Sequence, residues 1–219
     1  MVKQFLLEEV AKIIIGKTFT NDKCFTSEGT PFITKETLKN ILKEDDISQI
    51  PKVGNNFIEQ FNISYVPAKS ILLNKLNLME TTIYQCKKDV CIGQDIMAII
   101  PNESIIESDY LFHFFKWCQV NKEKLNIYRL IIDLPPIEIQ MRVVQLLNAI
   151  QHLLSYTESL VTAVEKLPEY FHNITNQTKQ HSNNLHQGFE MLQLQYIEIL
   201  HKVFNGEFLN AAQKYDFLR

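Results

Sequence analysis

Four polar segments of this chain gather side chains able to contact a polyanion or a nucleobase. Residues 17–23 supply Lys17, Thr18, Thr20, Asn21 and Lys23, and residues 34–39 supply Thr34, Lys35 and Lys39. Residues 74–82 supply Asn74, Lys75, Asn77, Thr81 and Thr82, and residues 121–129 supply Asn121, Lys122, Lys124 and Arg129. Lysine, arginine, threonine and asparagine are types that bind phosphate oxygens, and hydroxyls and amides also match the edges of bases. The same types make up ordinary solvated loops, and for any single residue that reading is the stronger one.

Signatures of catalysis are missing. There is no GxGxxG, GxxxxGK[ST], HExxH or GxSxG, and no Asp or Glu is followed two places later by Lys. The six histidines are not paired at metal-ligand spacing, and no metal or cofactor is expected. Cys24, Cys86, Cys91 and Cys118 form no CxxC pair and read as reduced thiols of a cytoplasmic protein. Gln94 falls in an apolar stretch and reads as a buried hydrogen-bonding residue rather than a contact to a base.

The elements that must position these segments follow from apolar periodicity. Phe5 to Ile15 reads as a helical turn and then a strand stopped at Gly16. PFIT (31–34) reads as a strand, KETLKNILKEDD (35–46) as a short helix or turn, and residues 51–62 as loop. ISYVP (63–67), SILLN (70–74), TTIYQC (81–86) and DIMAIIP (95–101) form a strand-rich section. ESDYLFHFFKWCQ (107–119) reads as an amphipathic helix with Tyr110, Leu111, Phe114, Phe115 and Cys118 on one face, and RLIIDLP (129–135) as a last strand. Residues 1–134 are thus expected to form an α+β head with a twisted mixed or antiparallel sheet.

Beyond the double proline at 135–136 the pattern changes. Ile139, Val143, Leu146, Ile150, Leu153, Thr157, Leu160, Val164 and Leu167 alternate steps of four and three, the seam of a coiled coil. Leu185, Phe189, Leu192, Tyr196, Ile199 and Val203 repeat it, and Asn205-Gly206 follows as a helix C-cap would. Residues 135–209 therefore read as a long helical arm, with 210–219 a tail. The polar stretch 168–184 either loops, folding the arm into a hairpin, or continues as a helix kinked at Pro168. The hairpin or broken helix is preferred.

The totals agree with one domain plus an extension: 219 residues, 46% hydrophobic, net charge −3. Residues 1–134 hold 16 Lys+Arg against 17 Asp+Glu, while 135–209 hold 4 against 7, so any affinity for an anion belongs to the head. Nothing approaches the 18 or so consecutive apolar residues of a membrane span, and the N-terminus, interrupted by Glu8, Glu9 and Lys12, is no signal peptide.

Taken in order, the motifs resemble one half of the specificity subunit of a type I restriction–modification enzyme. LLEEVAKIIIGKTF and GTPFIT (within 6–34) resemble the opening of the family's target recognition domain. CIGQDIMAIIP (91–101) resembles its Asn-Gln-hydrophobic-Pro strand, and SDYLFHFFKW (108–117) its aromatic helix. IIDLPPIEIQMRVVQLL (131–147) resembles the start of its long helix, and FNGEF (204–208) the end. Ile139 replaces a glutamate, NKLNLMETTIY (74–84) lacks the usual glycine loop, and the arm is about three heptads longer than usual.

The resemblance implies a subunit without catalysis that reads duplex DNA through its head. The four polar segments are then taken as the DNA-contacting set. Methyl transfer and cleavage would belong to an adenine methyltransferase subunit and a restriction subunit. A half-length chain would pair with a second copy through Val143, Leu146, Ile150, Leu153, Leu160 and Val164 of the first run and Leu192, Tyr196, Ile199 and Val203 of the second. It would then recognise a symmetric, interrupted site. A truncated half-subunit that binds partner subunits without reading DNA, and a coiled-coil adaptor, are the alternatives.

Overall fold

A computed structural model describes residues 2–19, 21–44, 50–75, 83–121, 126–170 and 175–206. The chain divides into two compact units, Met1–Gln140 and Met141–Arg219.

The first unit opens with β1 (Lys3–Leu6), a single turn α1 (Leu7–Val10) and β2 (Ala11–Ile15). Glu9 ties the turn by accepting a 2.6 Å hydrogen bond from the Leu6 backbone N–H. Two short strands follow, β3 (Phe25–Thr26) and β4 (Thr30–Ile33), then α2 (Lys35–Glu44), β5 (Lys52–Val53) and α3 (Asn55–Gln60). Next come β6 (Ser64–Val66), β7 (Ile71–Asn74), β8 (Tyr84–Gln85), β9 (Val90–Ile92) and β10 (Ile96–Pro101). The unit closes with α4 (Ser108–Val120) and β11 (Ile131–Leu134).

Among the described residues the strands form three sheets, with orders β1-β11, β2-β10-β7-β8 and β3-β5-β4-β9-β6. Pairing is antiparallel except between β4 and β9, where Phe32 sits opposite Cys91 and Ile33 opposite Ile92. The expected mixed or antiparallel sheet architecture is thus present. Central β10 is buried over Ile96, Met97, Ala98 and Ile99, as its unbroken apolar run requires. Leu72, Ile92, Ile96 and Ala98 share a core with Ile33, Leu38 and Ile41, which packs α2 against strands of two sheets. Helix α4 forms as expected, with the Glu107 carboxylate capping its start by accepting from the Tyr110 N–H at 2.8 Å. His113 and Trp117 join the expected buried face.

The expected loop at 51–62 is corrected: β5 and α3 occupy it. Asn55, Asn56 and Gly54 are turn types, but Phe57 and Ile58 pack on Cys24, Phe32, Val53 and Cys91, and that burial outweighs local preference. Strands β1 and β9, at three or four residues, carry too little period to be separated from their neighbours in the sequence.

The second unit is helical. Helix α5 (Ile137–Tyr170) runs through Pro168, and α6 (Thr175–Phe204) begins five residues after α5 ends. The expected loop across 168–184 is corrected, because its described residues, 168–170 and 175–184, are helix. The Gln151 amide donates to the Tyr196 hydroxyl at 3.0 Å. Gln151 lies 19 residues before the end of α5 and Tyr196 21 residues after the start of α6, so the two helices run antiparallel as a hairpin. Gly206, at φ +78°, ends the second helix in the left-handed conformation its position suggested.

The inward and outward faces of α5 do not follow a single seam. Val143, Val144, Leu147 and Val161 are buried, and Ile150, Gln151, Leu154 and Thr157 are half-buried. Leu146, Leu153 and Leu160, seven residues apart, are 40%, 48% and 37% exposed. On α6, Leu192, Tyr196 and Ile199 are half-buried and Val203 is buried. Val164 lies in α5, but its side chain is outside the described set.

Candidate functional site

Two glycines fix the most distinctive local geometry. After β2 the chain passes so close to the turn following β9 that a Cβ on Gly16 would lie 1.9 Å from the Gly93 carbonyl oxygen. Only hydrogen fits there. The Gly16 N–H donates to Ile96 O at 2.9 Å, the Gly93 N–H donates to Ile33 O at 2.9 Å, and Lys17 forms a parallel bridge with Gly93. Three segments distant in sequence, at the ends of β2, β4 and β9, are thereby pinned together.

Beside this crossing lies a cleft of about 220 Å³ lined by Lys17, Thr18, Phe19, Phe32, Thr34, Lys35, Glu36, Gly93, Gln94 and Asp95. Phe19 and Phe32 give it an apolar wall, their ring centroids 5.8 Å apart. The Thr18 hydroxyl donates to Gln94 Oε1. Thr34 caps α2: its hydroxyl accepts from the Thr37 N–H at 3.3 Å, while the Thr37 hydroxyl accepts from the Thr34 N–H at 2.7 Å. The Glu36 carboxyl is held below its ordinary value, first by a hydrogen bond from its own backbone N–H and then by the Thr34 hydroxyl. It therefore stays charged at neutral pH. The Lys75 N–H donates to Asp95 O at 2.8 Å, bringing the start of the third polar segment to the same turn.

The structure thus gathers Lys17, Thr18, Thr34 and Lys35 into one cleft and sets Lys75 next to it, with Asn74 paired to Ile96 at the end of β7. Lys23 and Lys39 are exposed. The Asn21 side-chain oxygen accepts from the Lys23 N–H at 3.2 Å, a local turn. Arg129 is exposed on a 3-10 turn (Ile127–Arg129) leading into β11, in the two-stranded ribbon. Thr20, Asn77, Thr81, Thr82, Lys122 and Lys124 lie outside the described residues.

Gln94 corrects its sequence reading. It is exposed on the turn between β9 and β10, with its amide in the cleft. The signal was Gly93 immediately before it and Asp95 after: a Gly-Gln-Asp interruption between two apolar runs is a turn. Gln140, by contrast, is fully enclosed. Its Oε1 accepts from the Glu107 N–H at 2.8 Å, and its Nε2 donates to Ile105 O at 3.1 Å and Pro135 O at 2.9 Å.

The four cysteines are buried and form no disulfide, and burial pushes the Cys86 and Cys91 thiols up to about 12, so neither is a thiolate at neutral pH. Among the described residues no three His, Cys, Asp or Glu side chains cluster as a metal site, and no helix is long and apolar enough to cross a membrane.

Solved structures resemble the fold. The HsdS subunit from Thermoanaerobacter tengcongensis matches over 94% of this chain and 45% of its own, at 19% identity and a TM-score of 0.50. A structure described as the basis of complex assembly and conformational transition of the type I R-M system matches over 93% and 45%, at 18% identity and a TM-score of 0.50. The chain thus spans less than half the length of these structures. The family model of the type I restriction modification DNA specificity domain matches residues 2–166, three quarters of the sequence and nearly all of the three-sheet unit and α5. On that match, the chain belongs to the type I restriction modification DNA specificity domain family.

Proposed function

We propose that this chain is the DNA sequence-recognition subunit of a type I-like restriction–modification system and carries no catalysis of its own. The family match over residues 2–166 is the observation that carries this reading. In it, residues 1–134 form the target recognition domain and read duplex DNA. Lys17, Thr18, Thr34, Lys35 and Lys75 supply contacts near the cleft, while Lys23, Lys39 and Arg129 add charge further out. The arm, residues 135–209, sets the distance between half-sites and docks partner subunits. An adenine methyltransferase and a restriction subunit, working in the cytoplasm, supply the chemistry.

The chain acts as a pair. It covers 45% of the length of each matched structure, and two copies would supply the missing half. Leu146, Leu153 and Leu160 leave an apolar stripe at heptad spacing on α5, which suits a second helical partner. Two copies related by a two-fold axis would recognise a symmetric, interrupted sequence.

The test is single-molecule mapping of methylated adenine in host DNA with the gene present and deleted. Loss of one interrupted palindromic motif on deletion is the expected result. An unchanged map would reject the DNA-specificity role in favour of a half-subunit that binds partners without reading DNA. The near balance of acidic and basic residues in 1–134 favours that second reading.

A further inference from the structure

Among the described residues Phe61 is the only exposed phenylalanine, at 42%. It follows the last residue of α3, and its ring is held in place. The ring lies 6.2 Å from Phe19 at 60° and 6.1 Å from Phe57 at 42°. Phe19 in turn meets Phe25 and Phe32, at 6.0 Å and 5.8 Å, and these rings rest on the core of Cys24, Val53 and Cys91. Edge-to-face and tilted contacts of this kind set the orientation of each ring.

The backbone adds a second constraint. The Asn62 N–H donates to Glu59 O at 3.1 Å and the Ile63 N–H to Ile58 O at 2.9 Å, with Asn62 left-handed at φ +49°. These are the paired bonds of a Schellman turn, and asparagine is one of the few residues that takes its left-handed position at low cost. The turn sends Ile63 back into the core and leaves Phe61 at the surface, between the exposed amides of Gln60 and Asn62. The place of the ring narrows its use. Phe19 is a wall of the cleft that holds Lys17, Thr18, Thr34 and Lys35, so Phe61 stands one ring away from that polar set.

An apolar surface beside groups that suit phosphates and base edges has one matching feature on duplex DNA. In the major groove the 5-methyl of thymine is the apolar group that a base presents. A wedge between stacked pairs is the other use of an aromatic side chain on DNA, and it needs a ring that projects. With more than half of its surface covered, Phe61 offers a rim instead. We infer that Phe61 is a specificity-determining residue that packs this rim against the methyl group of one thymine in the recognised duplex. The inference rests on the DNA-recognition reading above and names a base contact within it.

The experiment starts from the motif mapped by gene deletion. The full chain, purified from the host as the complex it forms there, is bound to duplexes carrying that motif. Each thymine is replaced in turn by deoxyuridine, which lacks only the methyl. Wild type should bind about fourfold more weakly at one position, the worth of one buried methyl group. In Phe61→Ala the thymine-to-deoxyuridine ratio at that position should fall to about one, while the ratios elsewhere hold. Because ratios are compared, a general loss of affinity cancels. Phe61→Leu still covers Phe19 and Phe57 but ends short of the ring's rim, so it should lower the same ratio if the alanine chain fails to fold. Ratios in both variants that match wild type at every thymine overturn the assignment, as does a wild type insensitive to deoxyuridine throughout. Equal loss of thymine and deoxyuridine duplexes, together with loss of DNA bending, would make Phe61 a wedge and also overturn it. If deletion of the gene removes no motif, the DNA-recognition reading itself fails, and this inference fails with it.

Discussion

At the scale of single residues, Gly16 is where side-chain identity is most constrained. An alanine methyl placed 1.9 Å from the Gly93 oxygen and 2.8 Å from the Ile92 oxygen meets backbone and cannot rotate away. Gly16→Ala should cost about 1–3 kcal/mol, the usual penalty of forced overpacking, read as a lower melting temperature. An unchanged melt would mean that the crossing is looser than it stands. Asp89 gives a pH-dependent counterpart. Its carboxyl accepts from the Tyr65 hydroxyl, and also from the Ala68 N–H at 2.8 Å, and both hold it below its ordinary value of 3.8. A depressed carboxyl adds stability above the unfolded chain's pKa and loses it as pH falls through the folded one. The deficit of Tyr65→Phe against wild type should therefore be present at neutral pH, small because the pair is exposed, and should shrink on acidification below the ordinary range. Urea denaturation at the two pH values measures it; a deficit that grew in acid would contradict the assignment. Residue types alone showed which side chains could touch a polyanion. They did not show that Lys17, Thr18, Thr34 and Lys35 share a cleft, because a Gly–Gly approach across 77 positions leaves no local trace.

At the scale of elements, α5 shows how one periodic pattern serves two faces. Leu147 is fully buried whereas Leu153 is 48% exposed, although both belong to the apolar side of the same helix. Leu147→Ala should cost about 2–5 kcal/mol. Leu153→Ala should stay within about 0.5 kcal/mol in the isolated chain, while weakening self-association in sedimentation. Equal losses in melting temperature would put the outer stripe inside the hairpin instead. The contrast explains what was legible. Helix α4 was readable because thirteen residues repeat an apolar face and an acidic cap precedes them. The helical nature of the arm was readable for the same reason. Its inward face was not, because α5 is apolar around more than half its circumference, and only the partner helix decides which part is covered. Helix α3 was missed because six residues are less than two turns, and Phe57 and Ile58 are held by Cys24, Phe32, Val53 and Cys91 from other parts of the chain.

At the scale of the whole molecule, the described residues form a three-sheet unit followed by a two-helix unit, and the change of apolar period after the double proline at 135–136 anticipated that order. The hairpin has one more consequence. If Gln151 stands beside Tyr196 and the helices run in opposite senses, residue 143 stands level with residue 204. Each helix is about 45–50 Å long at 1.5 Å per residue, yet the polypeptide leaves the arm at the height where it came in. A straight rod would deliver its far end a full helix length away. Within the hairpin, lengthening or shortening both helices together would move the turn and leave the two ends side by side.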